Sequence, residues 1–229
     1  SMQVPSGKFF LGIFAGAAGL TQAISARGMQ VLAPIEIEPN QFVIESVIFL
    51  DPKVFQHIEL LIDRGVISFI HFGTPCSSFS VARKNDGGPP PLRDAVHLWG
   101  LPGLSPKDHE KVLLGNKFME LTARLARHCS APGVAWSIEN PASSFLWAIP
   151  PLVDLQQSLG VKLFWLDMCR FGSKHKKPTA VLSTIDLAAM ALQCDKDVRP
   201  HVHEPLTGTI IVDGRKIFRP STMIVPVSG

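Results

Sequence analysis

Short apolar runs alternate with segments of helical character along most of the chain. Five runs are rich in β-branched and other apolar residues and stop near a glycine, a proline or an acid, which predicts strands: 8–14, 30–38, 68–72, 133–138 and 161–167. Five segments between them are predicted helices: 21–27, 40–47, 53–64, 105–128 and 150–160. A short strand edge is predicted at 47–50. Strands alternating with helices predict an α/β fold with a mostly parallel sheet and helices on both faces.

The pattern changes after residue 160. A basic loop separates the strand at 161–167 from a further strand at 180–184, so we expect an antiparallel pair at one edge of the sheet. The dipeptide Asp213-Gly214 is a hairpin turn signal and predicts a small β-ribbon near the end. We expect residues 1–184 to form the main domain and residues 185–229 a short extension packed on it.

Composition narrows the cellular setting. A net charge of +3 and a pI near 8.7 permit an anionic partner without demanding one. Four irregularly spaced cysteines do not suggest a disulfide framework, so we expect reduced thiols and an intracellular protein, nuclear in a eukaryote and cytoplasmic otherwise. No apolar run approaches the ~18 residues of a membrane span, and we expect no membrane contact. We expect a monomer or one domain of a larger chain.

Two candidate catalytic side chains follow predicted strands. Cys76 comes after the strand at 68–72 and a Gly-Thr-Pro break, and Glu139 ends the strand at 133–138. Ligands of open α/β sheets bind beyond the carboxyl ends of the strands. A cysteine at a helix start has a lowered pKa and serves as a nucleophile, and a carboxyl group serves as a hydrogen-bonding acid. The alternatives are a buried structural cysteine and an acid satisfied by backbone N–H groups.

A glycine-rich turn follows the first strand. Gly16 and Gly19 lie between that strand and the helix at 21–27, which is the first unit of a nucleotide-binding fold. Glu36 follows Gly16 by 20 residues, close to the offset of a ribose-binding acid. The alternatives are tight packing of the helix on the strand and a solvated strand end.

Two loops carry clustered cations that suit phosphate contacts. Residues 81–105 follow Cys76 and include Arg83, Lys84 and Arg93, so we interpret them as a mobile lid that touches phosphates. Residues 170–177 carry four cations between the last two strands. The alternatives are a solvated insertion and a solvated turn.

The tail contains residues with the chemistry of metal ligands. Cys194, His201 and His203 are three candidates, and Cys169 is the plausible fourth that a structural zinc site requires. A loop held by local hydrogen bonds accounts for them more simply. We therefore predict no metal site.

Taken in order, these motifs resemble those of the DNA (cytosine-5) methyltransferases. The stretch at 12–20, Gly-Ile-Phe-Ala-Gly-Ala-Ala-Gly-Leu, is similar to their first motif, which holds S-adenosylmethionine. The Glu-Ile-Glu stretch at 36–38 is similar to the one that binds ribose and stacks on adenine, and Asp51 matches the acid that contacts the adenine amine. Pro75-Cys76 looks like the motif of the nucleophile, and Glu139-Asn140 looks like that of the acid.

The resemblance implies a Rossmann-like, S-adenosylmethionine-dependent methyltransferase fold and a set of site residues. Its catalytic residues would be Cys76 and Glu139. The implied cofactor contacts are Phe14, Ala15, Gly16, Ala17, Gly19, Leu20, Glu36, Ile37, Asp51, Pro52 and Pro75. The implied nucleic-acid contacts are Ser80, Arg83, Lys84, Lys174, Lys176 and Lys177.

The chain departs from the family pattern at several positions. Gly12 stands where the family has Asp, Ala18 where it has Gly, Ser77 where it has Gln and Pro141 where it has Val. Residues 174–177 stand where the family has a Gln-x-Arg-x-Arg motif, and lysines replace its arginines. Too few residues follow Thr179 for a full target-recognition domain.

The function implied is methyl transfer to C5 of cytosine in DNA through a covalent adduct with Cys76. A thiolate that adds at C6 makes C5 nucleophilic, and Glu139 relieves charge at N3. The target base must be flipped out of the stack or already single-stranded. The alternatives are the same reaction on RNA such as tRNA, and a catalytically inactive module that keeps the fold and binds cofactor or partner.

Overall fold

A computed structural model describes residues 8–36, 51–81, 83 and 89–205 and the backbone of two later strands at 208–212 and 215–219. The helix predicted over 40–47 and the strand edge predicted at 47–50 lie outside the described residues. No helix among the described residues is long and apolar enough to cross a bilayer.

The described chain folds around a five-stranded sheet in the order β1-β2-β3-β5-β4. The strands are β1 (Phe9–Ile13), β2 (Ile67–Phe72), β3 (Ala135–Pro141), β4 (Lys162–Asp167) and β5 (Pro178–Ser183). The first three strands pair in parallel, and β5 is antiparallel to both of its neighbours. Four of the five strands therefore run the same way, which confirms the mostly parallel sheet with an antiparallel pair at one edge.

The segment predicted as a second strand lies beside β1 but forms only part of a ladder. Val31 bridges Phe10 and Ile35 bridges Ile13, both in parallel. Pro34 interrupts the ladder between them because proline has no N–H to donate. The expectation of a strand is correct in position and direction, and wrong in continuity.

In the part of the chain that the structure describes, four helices cover the sheet: α1 (Gly19–Ala26), α2 (Pro52–Asp63), α3 (Pro106–Ser130) and α4 (Pro150–Leu159). Local sequence sets their starts, since the side chains of Asp51 and Ser105 accept hydrogen bonds from the first turns of α2 and α3, and proline follows each cap. Helix α3 packs between α2 and α4, and α1 packs on β1. Right-handed crossovers in opposite directions put α1 on one face and the other three on the opposite face.

The main core fills the space between the sheet and helices α2 to α4. Ile70, Phe72 and Trp136 of the sheet pack with Met119 and Leu125 of α3, and all five are fully buried. A small antiparallel ribbon of β6 (Gly208–Val212) and β7 (Arg215–Arg219) confirms the predicted hairpin.

The order of the strands defines a switch point between β1 and β2. From β1 the chain passes through α1 to the 31–35 segment on one side, and it later returns to form β2 on the other side. Crevices at such points, beyond the carboxyl ends of the strands, are where open α/β sheets bind ligands. The fold is thus Rossmann-like, and its topology selects one edge for the site.

Candidate functional site

Three strand ends meet at this edge of the sheet. The glycine turn follows β1, the Gly-Thr-Pro-Cys segment follows β2, and Glu139 and Asn140 lie in the last part of β3. Parallel pairing of β1 with β2 and of β2 with β3 brings the three ends side by side. The motifs that the sequence separates by tens of residues therefore lie in one place.

The turn after β1 is an unusual backbone that opens space for a ligand. Phe14, Gly16 and Ala18 all have positive φ angles, of 55°, 55° and 54°. A Cβ added at Gly16 would meet no atom within 4 Å, so the turn faces open space there. The Gly16 N–H donates to the carboxylate of Glu36, which joins the two residues that the sequence placed 20 positions apart.

Phe14 is held in its strained conformation by tight packing on both sides. A positive φ in a bulky residue costs about 1–3 kcal/mol, so the surroundings must enforce it. The ring of Phe14 packs edge-on against Phe118 of α3, with 5.1 Å between ring centroids. Its carbonyl approaches Gly73 so closely that a Cβ there would lie 2.5 Å from the oxygen. Gly73 is thus the residue that lets the turns after β1 and β2 touch.

A cavity of about 260 Å³ opens beside this contact. Six of its lining residues were expected in the site from sequence: Phe14, Ala15, Gly16, Leu20, Glu139 and Lys177. Five were not: Phe10, Gly12, Thr21, His71 and Gly73. A larger cavity of about 550 Å³ lies at the opposite edge of the sheet, where β3 and β4 begin, and it contains none of the predicted site residues.

The expected cofactor contacts outside the cavity lining occupy several positions. Ala17 is exposed in the glycine turn, Gly19 is exposed at the start of α1, and Pro75 is half-buried next to Cys76. One carboxylate oxygen of Asp51 accepts a hydrogen bond from the Lys53 N–H at 2.9 Å, so Asp51 caps α2, with Pro52 beginning the helix. Ile37 lies outside the described residues.

Cys76 lies in a turn, and the expected lowering of its pKa is wrong. The Phe79 N–H donates to the Cys76 carbonyl at 2.9 Å and closes a single turn, so no helix start faces the sulfur. Burial raises the pKa of the Cys76 thiol, the charge of Glu139 raises it further, and the charge of Lys177 acts in the opposite direction. The surroundings of Cys76 therefore favour the protonated thiol, and the charge of Glu139 contributes to this effect.

Lys177 is the third charged or titratable residue near Cys76 and Glu139. Its Nζ lies 3.6 Å from Oε1 of Glu139, and its backbone has a φ of 35°. A sulfur, a carboxylate and an ammonium group thus come together from the ends of β2 and β3 and the start of β5. This arrangement offers a potential nucleophile and a potential acid at the same edge of the sheet.

Asn140 positions the nucleophile's loop, a role that sequence reasoning missed. Its amide is fully buried and donates to the carbonyl of Thr74 at 2.6 Å and to that of Glu139 at 3.1 Å. Thr74 Oγ1 in turn lies 3.0 Å from Thr122 Oγ1 of α3. Among the described residues, the Oδ1 atom of Asn140 is a buried acceptor with no hydrogen-bond partner, and burying such an atom costs free energy.

His71 is a second residue that the sequence did not single out. It lies on β2 beneath the cavity, and its Nδ1 is 2.8 Å from the Ser137 hydroxyl on β3. Burial lowers the pKa of His71 to about 4, so the imidazole is neutral at physiological pH.

Arg93 was expected to touch phosphates, and that expectation is wrong. Only 2% of its surface is exposed, and its guanidinium donates to the carbonyl and hydroxyl of Ser78 and to groups of α3. The same group stacks on the ring of Phe79 at 3.9 Å. Burial lowers the pKa of Arg93 to about 10, so it remains charged. It fastens the turn after Cys76 to α3.

The expected nucleic-acid contacts already have partners within the protein. Arg83 donates to the carbonyls of Ser77 and Pro90, and Ser80 is half-buried nearby. Lys174 lies 3.8 Å from Glu204, and Lys176 lies 3.8 Å from Asp167. Lys84 is not among the described residues. Phosphates would have to compete with these contacts, and the predicted lid and its contacts stay predictions.

No protein-family model and no curated protein sequence matches the chain. Among solved structures, it is similar to the crystal structure of the Dnmt2 methyltransferase of S. pombe, with 9% sequence identity and a TM-score of 0.45. The similarity covers 77% of this chain and 48% of that one, so the chain spans about half of the length of the protein it matches. So distant a likeness carries no weight for function, which has to be argued from the site.

Proposed function

We propose that the chain transfers a methyl group from S-adenosylmethionine to C5 of cytosine in DNA through a covalent adduct with Cys76. The observation that carries this proposal is that Cys76, just after β2, and Glu139, at the end of the neighbouring strand β3, lie at the same edge of the sheet, where the charge of Glu139 raises the pKa of the thiol. A nucleophile and an acid on neighbouring strand ends are what addition to a pyrimidine ring needs.

The cavity beside Gly16 is the proposed site of the cofactor. Its residues fit that group, because the turn leaves open space at Gly16, Leu20 presents an apolar side chain that is 44% exposed, and Glu36 brings a carboxylate suited to ribose hydroxyls. When bound, S-adenosylmethionine would supply an electrophilic methyl group.

Cys76 and Glu139 would share the remaining chemistry. The Cys76 sulfur, as thiolate, forms a bond to C6 of cytosine, while the carboxyl group of Glu139 donates a hydrogen bond to N3 and relieves the charge that develops there. C5 then gains the methyl group. Loss of the C5 proton to a base and cleavage of the S–C6 bond restore the ring double bond and the thiolate. Because its surroundings favour the protonated thiol, Cys76 has to lose its proton as the substrate binds, and the Glu139 carboxylate would take up this proton and so become the carboxyl group that donates to N3.

The test is covalent trapping on a substrate that cannot complete the reaction. Full-length protein is mixed with S-adenosylmethionine and a pool of random-sequence duplexes in which 5-fluorocytosine replaces cytosine, and adducts are separated on a denaturing gel. Fluorine at C5 cannot leave as a proton does, so an adduct through Cys76 should accumulate. Cys76→Ala should form none, whereas Ser77→Ala, the neighbouring exposed residue of the same turn, should still form it.

A parallel pool of 5-fluorocytosine transfer RNA separates the alternatives. An adduct on DNA supports the proposal, and an adduct on RNA alone assigns the same chemistry to RNA. If neither pool is trapped while S-adenosylmethionine binds in equilibrium dialysis, the chain is a binding module and the proposed activity is wrong.

A further inference from the structure

We propose that Cys169, Cys194, His201 and His203 form a structural zinc site that fastens the tail to the end of β4. The four side chains come from two separate parts of the chain, and their ligand atoms all lie within 4.8 Å of one another. This site is independent of the proposed methyl transfer. It replaces the sequence-based prediction that these residues form only a hydrogen-bonded loop.

The two sulfur–nitrogen distances match a tetrahedral centre, whereas the two imidazole nitrogens lie closer together than such a centre would hold them. Cys194 Sγ lies 3.6 Å from His201 Nε2 and 3.7 Å from His203 Nε2, and the two Nε2 atoms are 2.9 Å apart. Zinc bonds of about 2.3 Å to sulfur and 2.0 Å to nitrogen in a tetrahedron require separations of about 3.5 Å between S and N and about 3.3 Å between two N atoms. A set of two thiolates and two imidazoles in this geometry is typical of zinc.

The orientation of His201 also favours a metal ligand. Its Nδ1 lies 2.7 Å from the carbonyl of Arg199, and only a protonated Nδ1 can donate there. In the neutral ring, Nε2 then carries the lone pair and points it at the cluster. Fixing the far nitrogen of a ligating histidine by a backbone carbonyl is the usual second contact of a metal-bound imidazole.

Hydrogen bonds and an ion pair hold the segments around the cluster together. The Asp167 carboxylate accepts from the Cys194 N–H at 2.7 Å, and the Asp167 N–H donates to the Leu192 carbonyl at 2.9 Å. Arg170, the residue after Cys169, donates to the Gln193 carbonyl at 2.7 Å and lies 3.4 Å from Asp195, so it contacts both neighbours of Cys194. The ligands on both segments are therefore held in register, which lowers the entropic cost of binding an ion.

Hydrogen bonds explain the arrangement less well than a metal ion does. Cys194 Sγ lies within weak hydrogen-bond distance of both Nε2 atoms, and Cys169 interacts with Cys194, but such bonds to sulfur add little stability. Thiols are weak hydrogen-bond donors, whereas thiolates are strong zinc ligands. Three of the four side chains are half-buried and His201 is exposed, so an ion has a path to the site.

The site would hold the basic loop next to the candidate catalytic residues. Cys169 lies in a short 3₁₀ turn, Met168–Phe171, directly after β4. The Met168 N–H donates to the Lys176 carbonyl at 2.8 Å, and the Glu204 N–H, just after His203, donates to the Lys174 carbonyl at 2.9 Å. An ion that joins these segments would restrain residues 172–177, which end at Lys177 beside Glu139.

The direct test is the metal content of the untagged full-length protein, purified in reducing buffer and dialysed against metal-free buffer. We expect one zinc per chain by mass spectrometry. After removal of zinc with a chelator, Co²⁺ should bind with the visible bands of tetrahedral coordination and a near-ultraviolet thiolate-to-metal band. Cys194→Ser and His203→Asn should each lower the retained zinc at least tenfold.

Matched controls keep the outcome decisive. Cys76→Ser and His109→Asn alter a half-buried cysteine and an exposed histidine away from the cluster and should retain the full zinc content. The wild-type zinc content and cobalt spectrum decide the question even if the ligand variants fail to fold. Wild-type protein without zinc and without the thiolate band, a disulfide between Cys169 and Cys194, or equal zinc loss in the control variants would each overturn the proposal.

Discussion

At the scale of single residues, the central property of the candidate site is the pKa of the Cys76 thiol, on which neighbouring groups have opposite effects. Burial and the charge of Glu139 raise the pKa of Cys76, and the charge of Lys177 lowers it. Lys177 itself lies 3.6 Å from Glu139 and holds a strained backbone conformation. The ammonium group thus partly offsets the carboxylate, and the two side chains together set how readily the thiol ionises.

This balance predicts opposite effects for two substitutions. Lys177→Met removes the side-chain charge that favours the thiolate and should raise the pKa of Cys76. Glu139→Gln removes the charge that opposes the thiolate and should lower it. The measurement is the pH dependence of iodoacetamide labelling at Cys76, followed by mass spectrometry of the peptide that contains it. Shifts in the same direction, or none in either variant, would mean that the three groups do not interact.

His71 gives a prediction about stability and pH. Its pKa falls from 6.5 to about 4 on burial, so between these values the unfolded chain binds more protons than the folded one. The free energy of unfolding should therefore decrease as the pH falls from 7 to 5, with up to about 2 kcal/mol of that loss due to His71. In His71→Asn this part of the loss should disappear in urea unfolding measured at both pH values. His109→Asn, at an exposed position, should keep the wild-type dependence.

The roles that could not be predicted from the sequence all depend on partners that are distant along the chain. Cys76, Glu139 and the glycine turn were readable because each lies at or just after the end of an apolar run that is visible locally. Arg93 was misread and Asn140 overlooked because their partners, Ser78 and Thr74, are set by tertiary packing over distances of 15 and 66 residues. The pKa of Cys76 was misjudged for the same reason, since it depends on burial and on two other strand ends.

At the scale of elements, the contact between α3 and the turn after Cys76 depends on a glycine within the helix. Gly115 faces Ser78 and the guanidinium of Arg93, and a Cβ at this position would overlap Ser78 Oγ. Arg93 meanwhile donates to the Val112 carbonyl at 3.2 Å and to Asn116 at 2.8 Å. The turn that carries the nucleophile is thus fastened to one turn of α3.

Gly115→Ala should destabilise the protein despite the better helix propensity of alanine. The propensity gain is about 1 kcal/mol, whereas forcing a methyl group into a packed contact typically costs about 1–3 kcal/mol. We expect a lower midpoint of urea unfolding and faster alkylation of Cys76 as the turn loosens. Gly19→Ala is the matched control, because a Cβ there meets nothing within 4 Å.

A second substitution checks the cause of this effect. Ser78→Ala removes the oxygen that the new methyl group would overlap, so in the Gly115→Ala background it should restore part of the lost stability. If the double variant is as unstable as the sum of the two single variants, the loss comes from somewhere other than this contact.

The elements themselves were largely predictable from the sequence. The starts of α2, α3 and α4 coincide with proline at the first turn, a signal contained in a few neighbouring residues. The position of β5 between β3 and β4 could not be predicted from the sequence. The pattern of apolar residues predicts that a segment forms a strand, but it does not predict which strands pair with it. The break at Pro34 was visible in the sequence, and its effect on the ladder should have been anticipated.

At the scale of the whole molecule, the described tail is tied to the sheet through the end of β4. Asp167 contacts both Leu192 and Cys194, and Lys174 contacts Glu204. The sequence suggested the ligand types but not that Cys169 and Cys194 would meet, because the 24 residues between them include β5 and follow no familiar zinc spacing. The tail therefore reaches the candidate active site through the basic loop.

Removal of the proposed zinc should loosen this loop without unfolding the sheet. Trypsin can cleave after Lys174 and Lys176, while the bond after Lys177 is protected by Pro178. With a chelator present, we expect cleavage at the first two positions to become several-fold faster, and added zinc should reverse the change. Cleavage after Arg27, at the exposed end of α1 far from the cluster, is the internal control and should keep its rate. If the loop is cut equally fast with and without zinc, the ion does not restrain the lysines beside Glu139, whatever its occupancy.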